Sequence, residues 1–202
     1  MLVIGNNCIS ARLYEQLKME FNNPFIWMVL PYDSVCYLMS NWDSIHFDKF
    51  AIEPSKFKNN TFILIIDGKI ELHYVHYVFD KNVNVPFKEQ KYTKDGAWWG
   101  NVRFKNIVSY IKEKYITRLN RMKQCNEEPV FLLRDEVYAA NNYSTKTMKD
   151  VANNTSKYKR IIITRDKSIT RNDDVCKTIH IDKLDTLEHT VQTYIAEITS
   201  FL

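Results

Sequence analysis

A cysteine lies between a predicted strand and a predicted helix near the start of the chain. The sequence reads VIGNNCISARLYEQL over residues 3–17, and Cys8 follows the turn-forming residues Gly5, Asn6 and Asn7. An apolar run precedes this turn, and apolar residues recur at helical spacing after it. Cys8 is therefore expected at a helix N-terminus on the carboxyl edge of a sheet, where α/β proteins bind ligands.

A thiol in this position could act as a nucleophile. The open amides and the dipole of a helix N-terminus stabilise a thiolate, and the same amides could bind an oxyanion. Asn6 and Asn7 would add side-chain donors, which makes both of them candidate substrate-binding residues. The layout is similar to a nucleophile elbow, although the glycine-flanked serine motif is absent. The alternative is that Cys8 is a small residue packed between strand and helix.

A cysteine nucleophile needs a base, and the stretch IELHYVHYVFD supplies two candidates, His73 and His76. Residues three apart on an extended strand face opposite sides, so only one of the two can face Cys8. We expect His76, or else His73, to take the proton. His180, near the end of a predicted strand, is a weaker candidate. The alternative for each is a structural role.

Several carboxylates follow apolar runs. Asp33 and Asp80 could each orient an imidazole, although Asp33 also fits the role of a helix cap. Arg134 and Asp135 end a predicted strand, where the pair suits either a salt bridge or the recognition of an anion. All four residues are candidates for the site.

Two adjacent tryptophans, Trp98 and Trp99, lie in a polar segment predicted as a long loop over residues 80–100. Sugar rings stack on aromatic surfaces through their apolar faces, so the pair could bind a glycan. The alternative is that these side chains attach the loop to the body of the protein.

Composition narrows the classes of function. The chain has 202 residues and a formal net charge of +4, which is too small and too scattered to predict a nucleic-acid partner. The most basic stretch, residues 112–123, fits a solvated helix face or a surface for an anion or a membrane. The four cysteines form no CxxC pair, so we predict no metal and no cofactor. Neither a signal peptide nor a membrane span is predicted, which favours a cytoplasmic location.

Strands alternate with helices along the sequence. Asp67 and Gly68 lie between two apolar runs and predict a hairpin. Further strands are predicted at residues 25–30 and at the runs PVFLLR, RIIIT and VCKTIHID, with helices over about 104–123 and 186–201. This pattern predicts a single α/β domain over residues 1–202. It is a three-layer sandwich with a largely parallel sheet and an inserted β-hairpin.

Several stretches resemble the DUF1919 family, whose bacterial members are often assigned to exopolysaccharide biosynthesis. The matching stretches are NNC, NNPFIWMVLPYDSVCYLMSNW, GKIELHYVHY, RLNRM and PVFLLRDE, in the family's order over about residues 3–140. The family's Ser-Pro-Thr is NPF here, and its Lys-Trp has no clear counterpart. The chain is also similar to the DUF1796 group of papain-like cysteine peptidases, through Asn7-Cys8, PFIW and LLR.

Both resemblances place Cys8 and a histidine of HYVHY in the motifs. They imply a cysteine-dependent hydrolase, or an acyl- or glycan-modifying transferase, in the synthesis of a bacterial exopolysaccharide or capsule. The expected substrate is a glycan, a nucleotide-sugar or a lipid-linked sugar, with Arg134 on its anionic part. Peripheral association with the membrane glycan-assembly machinery is also expected. The alternative is a non-catalytic protein of the same pathway, which binds phosphate or sugar or assists a glycosyltransferase.

Overall fold

A parallel four-stranded sheet forms the centre of the protein. The computed structural model describes residues 1–54, 62–73, 98–99, 102–135 and 144–202. The strand order is β1-β7-β8-β9, with β1 at Leu2–Gly5, β7 at Pro129–Arg134, β8 at Arg160–Thr164 and β9 at Cys176–His180. Because the strands are parallel, Gly5, Arg134, Thr164 and His180 all end at one edge. We call it the carboxyl edge.

Helices α1 (Ile9–Gln16) and α5 (Leu187–Phe201) contact each other on one face of this sheet. Their apolar residues share a buried cluster with alternate strand residues, among them Val3, Leu132 and Ile161. Thr186 begins α5 by accepting a hydrogen bond from the amide of His189 at 3.2 Å. The remaining strand residues must then face the opposite side, because successive side chains alternate.

That opposite face packs against the rest of the fold. Ile4, Leu133 and Ile162 belong to a cluster with the helices and with a second, antiparallel sheet. The helices are α2 at Tyr32–Asn41, α3 at Phe104–Gln124 and α4 at Met148–Ala152, and a 3-10 turn lies at Trp42–Ser44. The second sheet has the order β2-β3-β4, with strands at Phe50–Pro54, Phe62–Ile66 and Ile70–Leu72. The predicted three-layer α/β fold is confirmed.

The predicted hairpin joins β3 to β4. Asp67 and Gly68 have φ angles of 51° and 65°, the left-handed pair that a two-residue hairpin turn requires. The basic stretch of α3 is amphipathic. Tyr115 and Leu119 are buried, while Lys112 and Lys123 are exposed.

Two predictions of local structure were wrong. Residues 25–30 form a turn and a single bridge at Val29 instead of a strand. Trp27 has a φ of 64°, which interrupts any extended run. The predicted loop ends too late, because Trp98–Trp99 is strand β5 and pairs with β6, Val102–Arg103.

Candidate functional site

The connection from β1 to α1 is the predicted turn, and it is tightly packed. A Cβ on Gly5 would lie 2.9 Å from the carbonyl oxygen of Asn7 and 2.9 Å from Oγ of Ser10. Glycine is therefore required here because the first turn of the helix packs directly on the strand. This close packing fixes Cys8 at the carboxyl edge.

Asn7 and Cys8 form the start of α1. Asn7 Oδ1 accepts a hydrogen bond from the amide of Ile9 at 2.8 Å, and the amide of Arg12 donates to the carbonyl of Cys8 at 3.2 Å. Cys8 is the N-cap residue, is half-buried and forms no disulfide. Asn7 is fully buried, and its Nδ2 has no hydrogen-bond partner among the described residues. An uncompensated donor therefore lies next to the thiol residue.

Asn6 ties this turn to the end of β7. Its Nδ2 donates to the carbonyl of Arg134 and its Oδ1 accepts from the amide of Arg134, both at 2.9 Å. Asn6 was predicted to contact the substrate, but both polar atoms of its side chain bind the backbone of Arg134. The effect of the pair is to place Arg134 directly beside the start of α1.

Arg134 is a buried cation at the carboxyl edge, with 2% of its surface exposed. It lies two residues after Leu132, so its side chain is on the face covered by α1 and α5. Its Nη2 donates to the carbonyl of Asp185, just before α5. The carboxylate of Asp185 accepts from the amide of Thr186 at 3.0 Å, which lowers the pKa of Asp185.

The far half of the carboxyl edge carries Asp135, Thr164 and His180. Thr164 Oγ1 donates to Oδ2 of Asp135 at 3.3 Å, so Asp135 has a partner on the neighbouring strand. Thr164 is aligned with His180 in the sheet. Nδ1 of His180 is buried without a hydrogen-bond partner in the described parts of the chain. Strands β7 and β8 separate His180 from β1, which makes it a poor base for Cys8.

Backbone hydrogen bonds link His73 to the turn before Cys8 through one intervening segment, residues 29–30. Its backbone pairs with Val29 in both directions, at 2.8 and 2.9 Å, and the next amide, that of Leu30, donates to the carbonyl of Asn6 at 2.9 Å. His73 is therefore two hydrogen-bonded steps from the turn that carries Cys8.

A carboxylate orients His73. Nε2 of His73 lies 2.8 Å from Oε2 of Glu71, whose side chain is 45% exposed. Burial lowers the pKa of His73, and the hydrogen bond and charge of Glu71 act in the opposite direction. The net lowering favours a neutral imidazole at neutral pH, which is the form that a general base needs. Glu71 and His73 are two apart on an extended segment, a spacing that could have identified this carboxylate from the sequence.

Asp33 binds a distant segment of the chain through its carboxylate. It lies in the first turn of α2, and the cap position is Pro31, so the predicted cap was wrong. Its carboxylate accepts from the hydroxyl of Ser144 at 2.9 Å and from the amide and hydroxyl of Thr145 at 2.8 Å each. Burial raises the pKa of Asp33, but the hydrogen bonds from Thr145 and Ser144 outweigh it and the net pKa is lowered. Asp33 fastens the segment at 144–145 to α2.

The structure describes little about the remaining predicted site residues. His76 and Asp80 lie outside the described residues. For Trp98 and Trp99 the structure gives only their backbone pairing in β5. Among the described side chains, no group of three His, Cys, Asp or Glu could hold a metal ion.

Comparisons with known proteins do not assign the chain to a family. No family model matches the chain, and no curated protein is significantly similar to it. Within the described ranges, none of the helices combines the length and the apolar character needed to cross a bilayer.

Proposed function

We propose that the chain is a cysteine-dependent acyl-transfer enzyme, a hydrolase or a transferase, that modifies a glycan during the synthesis of a bacterial surface polysaccharide. The observation that carries the proposal is the start of α1. There a half-buried thiol residue at a helix N-terminus adjoins Asn7, whose Nδ2 is fully buried and has no partner among the described residues. The pathway and the glycan rest on the resemblance to the DUF1919 family.

Asn7 supports an oxyanion site. A buried donor without a partner costs free energy of about 1–3 kcal/mol, so its retention favours a ligand that compensates it. The amide of Ile9 is already bound by Asn7 Oδ1, whereas the next amides of the first turn have no intrahelical acceptor, as at the start of any helix. These amides and Asn7 Nδ2 would stabilise the negative oxygen of a tetrahedral intermediate.

The pair of His73 and Glu71 supplies a base with its orienting carboxylate. His73 is buried, is bound to Glu71 at 2.8 Å and lies two hydrogen-bonded steps from the turn of Cys8. This arrangement follows the logic of nucleophile, base and orienting acid. His76 remains the alternative base from the sequence.

The proposed reaction has two halves. Cys8 Sγ attacks the acyl carbon while the histidine takes the thiol proton, and the carbonyl electrons move to the oxygen. The oxyanion collapses, the bond to the leaving group breaks, and the leaving group takes the proton from the imidazolium. Water or a sugar hydroxyl then attacks the thioester, gives its proton to the histidine and releases Cys8, which regains that proton.

The test is the pH dependence of alkylation by iodoacetamide at each cysteine, read by peptide mass spectrometry. A nucleophilic Cys8 should react with a midpoint well below about 8.5. Cys36 is the internal control, because burial raises its pKa to about 11. His73→Gln and His76→Gln are compared, and the one that moves the Cys8 profile to higher pH identifies the base.

Two results would contradict the proposal. One is a Cys8 profile that follows that of Cys36. The other is a chain that, after exposure to activated acyl donors such as p-nitrophenyl acetate, gains no acyl group at Cys8, with Cys8→Ser as the blank. A non-catalytic binding protein would give both results and still bind its ligand.

A further inference from the structure

We infer that the first turn of α1 and the end of β7 form an anion subsite, made by Asn7, Ser10 and Arg134, that binds a phosphate group of the substrate. The inference deepens the proposed function and rests on it, because it places the charged part of the substrate beside Cys8. It narrows the substrate to a phosphorylated compound, such as a nucleotide-activated or lipid-activated sugar.

Placement of the three residues follows from the backbone. The two hydrogen bonds between Asn6 and Arg134 bring the end of β7 against the turn before α1. Gly5 is aligned with Leu132, and Arg134 follows Leu132 by two residues. Arg134 therefore lies on the same face of the sheet as Gly5, just beyond the end of β1. Ser10 is on that face too, since its Oγ lies 2.9 Å from where a Gly5 Cβ would be.

Two buried polar atoms point to a missing ligand. Asn7 and Ser10 are both 0% exposed, and neither Nδ2 of Asn7 nor Oγ of Ser10 has a hydrogen-bond partner within the described residues. Neither group belongs to an exposed loop that water could solvate. A phosphate oxygen accepts from Ser10 Oγ and from one of the two N–H groups of Asn7 Nδ2, and the other N–H remains for the oxygen of the tetrahedral intermediate.

The electrostatics select an anion. The N-terminal end of α1 carries partial positive charge, and its first turn has no acidic side chain to offset it. Arg134 adds a buried guanidinium at the end of the neighbouring strand, where Nη2 donates to the carbonyl of Asp185 and the positive charge also lowers the pKa of the Asp185 carboxyl. Two positive sources that converge in a buried place favour a negatively charged ligand.

Binding of inorganic pyrophosphate to the Cys8→Ser protein, measured by isothermal titration calorimetry, tests the subsite without the nucleophile. We expect binding, and a loss of about tenfold or more in affinity for Arg134→Gln, the size of a hydrogen bond to a charged group. Arg165→Gln is the matched control, because Arg165 is an exposed cation just beyond the neighbouring strand. It should bind pyrophosphate as the parent does.

Ser10→Ala keeps the experiment decisive if Arg134→Gln does not fold. Its melting temperature should be unchanged or higher, because a buried hydroxyl without a partner is removed, while its affinity for pyrophosphate falls several-fold. The subsite is overturned if the parent does not bind pyrophosphate, if Ser10→Ala binds it as the parent does, if a folded Arg134→Gln binds it as the parent does, or if Arg165→Gln loses as much affinity as Arg134→Gln.

The two proposals fail separately. An unreactive Cys8 with pyrophosphate binding that depends on Arg134 and Ser10 refutes the enzyme and supports the subsite. A reactive Cys8 without pyrophosphate binding does the reverse. Uridine diphosphate and geranyl diphosphate, titrated in parallel, distinguish the source of the phosphate. Tighter binding of the first indicates a nucleotide-sugar, and tighter binding of the second indicates a lipid carrier.

Discussion

The two edges of the parallel sheet differ in how completely their buried polar groups are hydrogen-bonded. At the start of β8, the guanidinium of Arg160 donates to four backbone carbonyls, and Arg171 donates to two of the same carbonyls at 3.0 Å. At the carboxyl edge, Asn7, Ser10 and His180 each have a buried atom without a partner among the described residues. Buried polar groups at the first edge are thus compensated, whereas these three groups at the carboxyl edge have no partner among the described residues.

This difference separates structural polar residues from candidate functional ones. A buried polar group adds to stability only when it has a hydrogen-bond partner, and otherwise it costs free energy. The first edge therefore stabilises the fold. The groups without a partner at the carboxyl edge lower the free energy of unfolding, which is expected of a site that is completed by a ligand.

The largest expected effect is at the first edge. Arg160→Gln leaves several carbonyls without a donor, and we expect the free energy of unfolding to fall by at least ~3 kcal/mol. Urea denaturation followed by circular dichroism measures it. Arg171→Gln is the matched control, because Arg171 binds the carbonyls of Ala152 and Asn154 but is partly exposed. It should lose about 1 kcal/mol. If both variants lose the same free energy of unfolding, the fully hydrogen-bonded, buried Arg160 contributes no more than the partly exposed Arg171.

A pair of serines gives the next largest effect and the clearest sign. Ser10→Ala should raise the free energy of unfolding by about 1 kcal/mol, because it removes a buried hydroxyl that has no described partner. Ser156→Ala should lower it by about 1 kcal/mol, because Ser156 Oγ donates to the carbonyl of Met39 at 2.6 Å. The same urea titration reads both. If Ser10→Ala is destabilised as Ser156→Ala is, the buried hydroxyl of Ser10 does not cost stability. Ser10 then no longer supports a ligand site at the carboxyl edge.

The parts of this fold that are local in the chain could be predicted from the sequence. The turn at Gly5–Asn7 and the Asp67–Gly68 hairpin depend on residues that are adjacent, so turn chemistry and apolar spacing were enough. The same applies to α3 and α5. Turn residues followed by helical spacing predict Cys8 at the carboxyl edge, and it lies there at the N-cap of α1.

The parts that depend on distant residues could not be predicted. Asn6 and Arg134 are 128 positions apart, and no spacing in the sequence indicates that one amide side chain binds both backbone groups of the other residue. The carboxylate of Asp33 is likewise bound by residues more than a hundred positions away. The apolar run at 25–30 has strand composition because it is buried, and burial alone does not produce an extended backbone.

The smallest effect concerns pH and His73. Burial lowers the pKa of His73 in the folded chain, so the unfolded chain binds the proton first as pH falls. Stability should therefore decrease as pH falls from above the ordinary histidine pKa of about 6.5 toward the lower folded value. His73→Gln removes this contribution and can keep a hydrogen bond to Glu71. The difference in free energy of unfolding between parent and variant should be constant above about pH 7.5 and should shift against the parent at acid pH.

Urea titrations at several pH values measure this difference, and His189→Gln, which removes an exposed histidine on α5, is the control. A difference that does not change with pH would mean that His73 is as easily protonated in the folded chain as in the unfolded chain. The lowered pKa that favours a neutral His73 would then be absent, and His76 would become the preferred partner of Cys8. A shift against the parent that coincides with a loss of Cys8 alkylation would instead connect the buried imidazole to the thiol at the carboxyl edge.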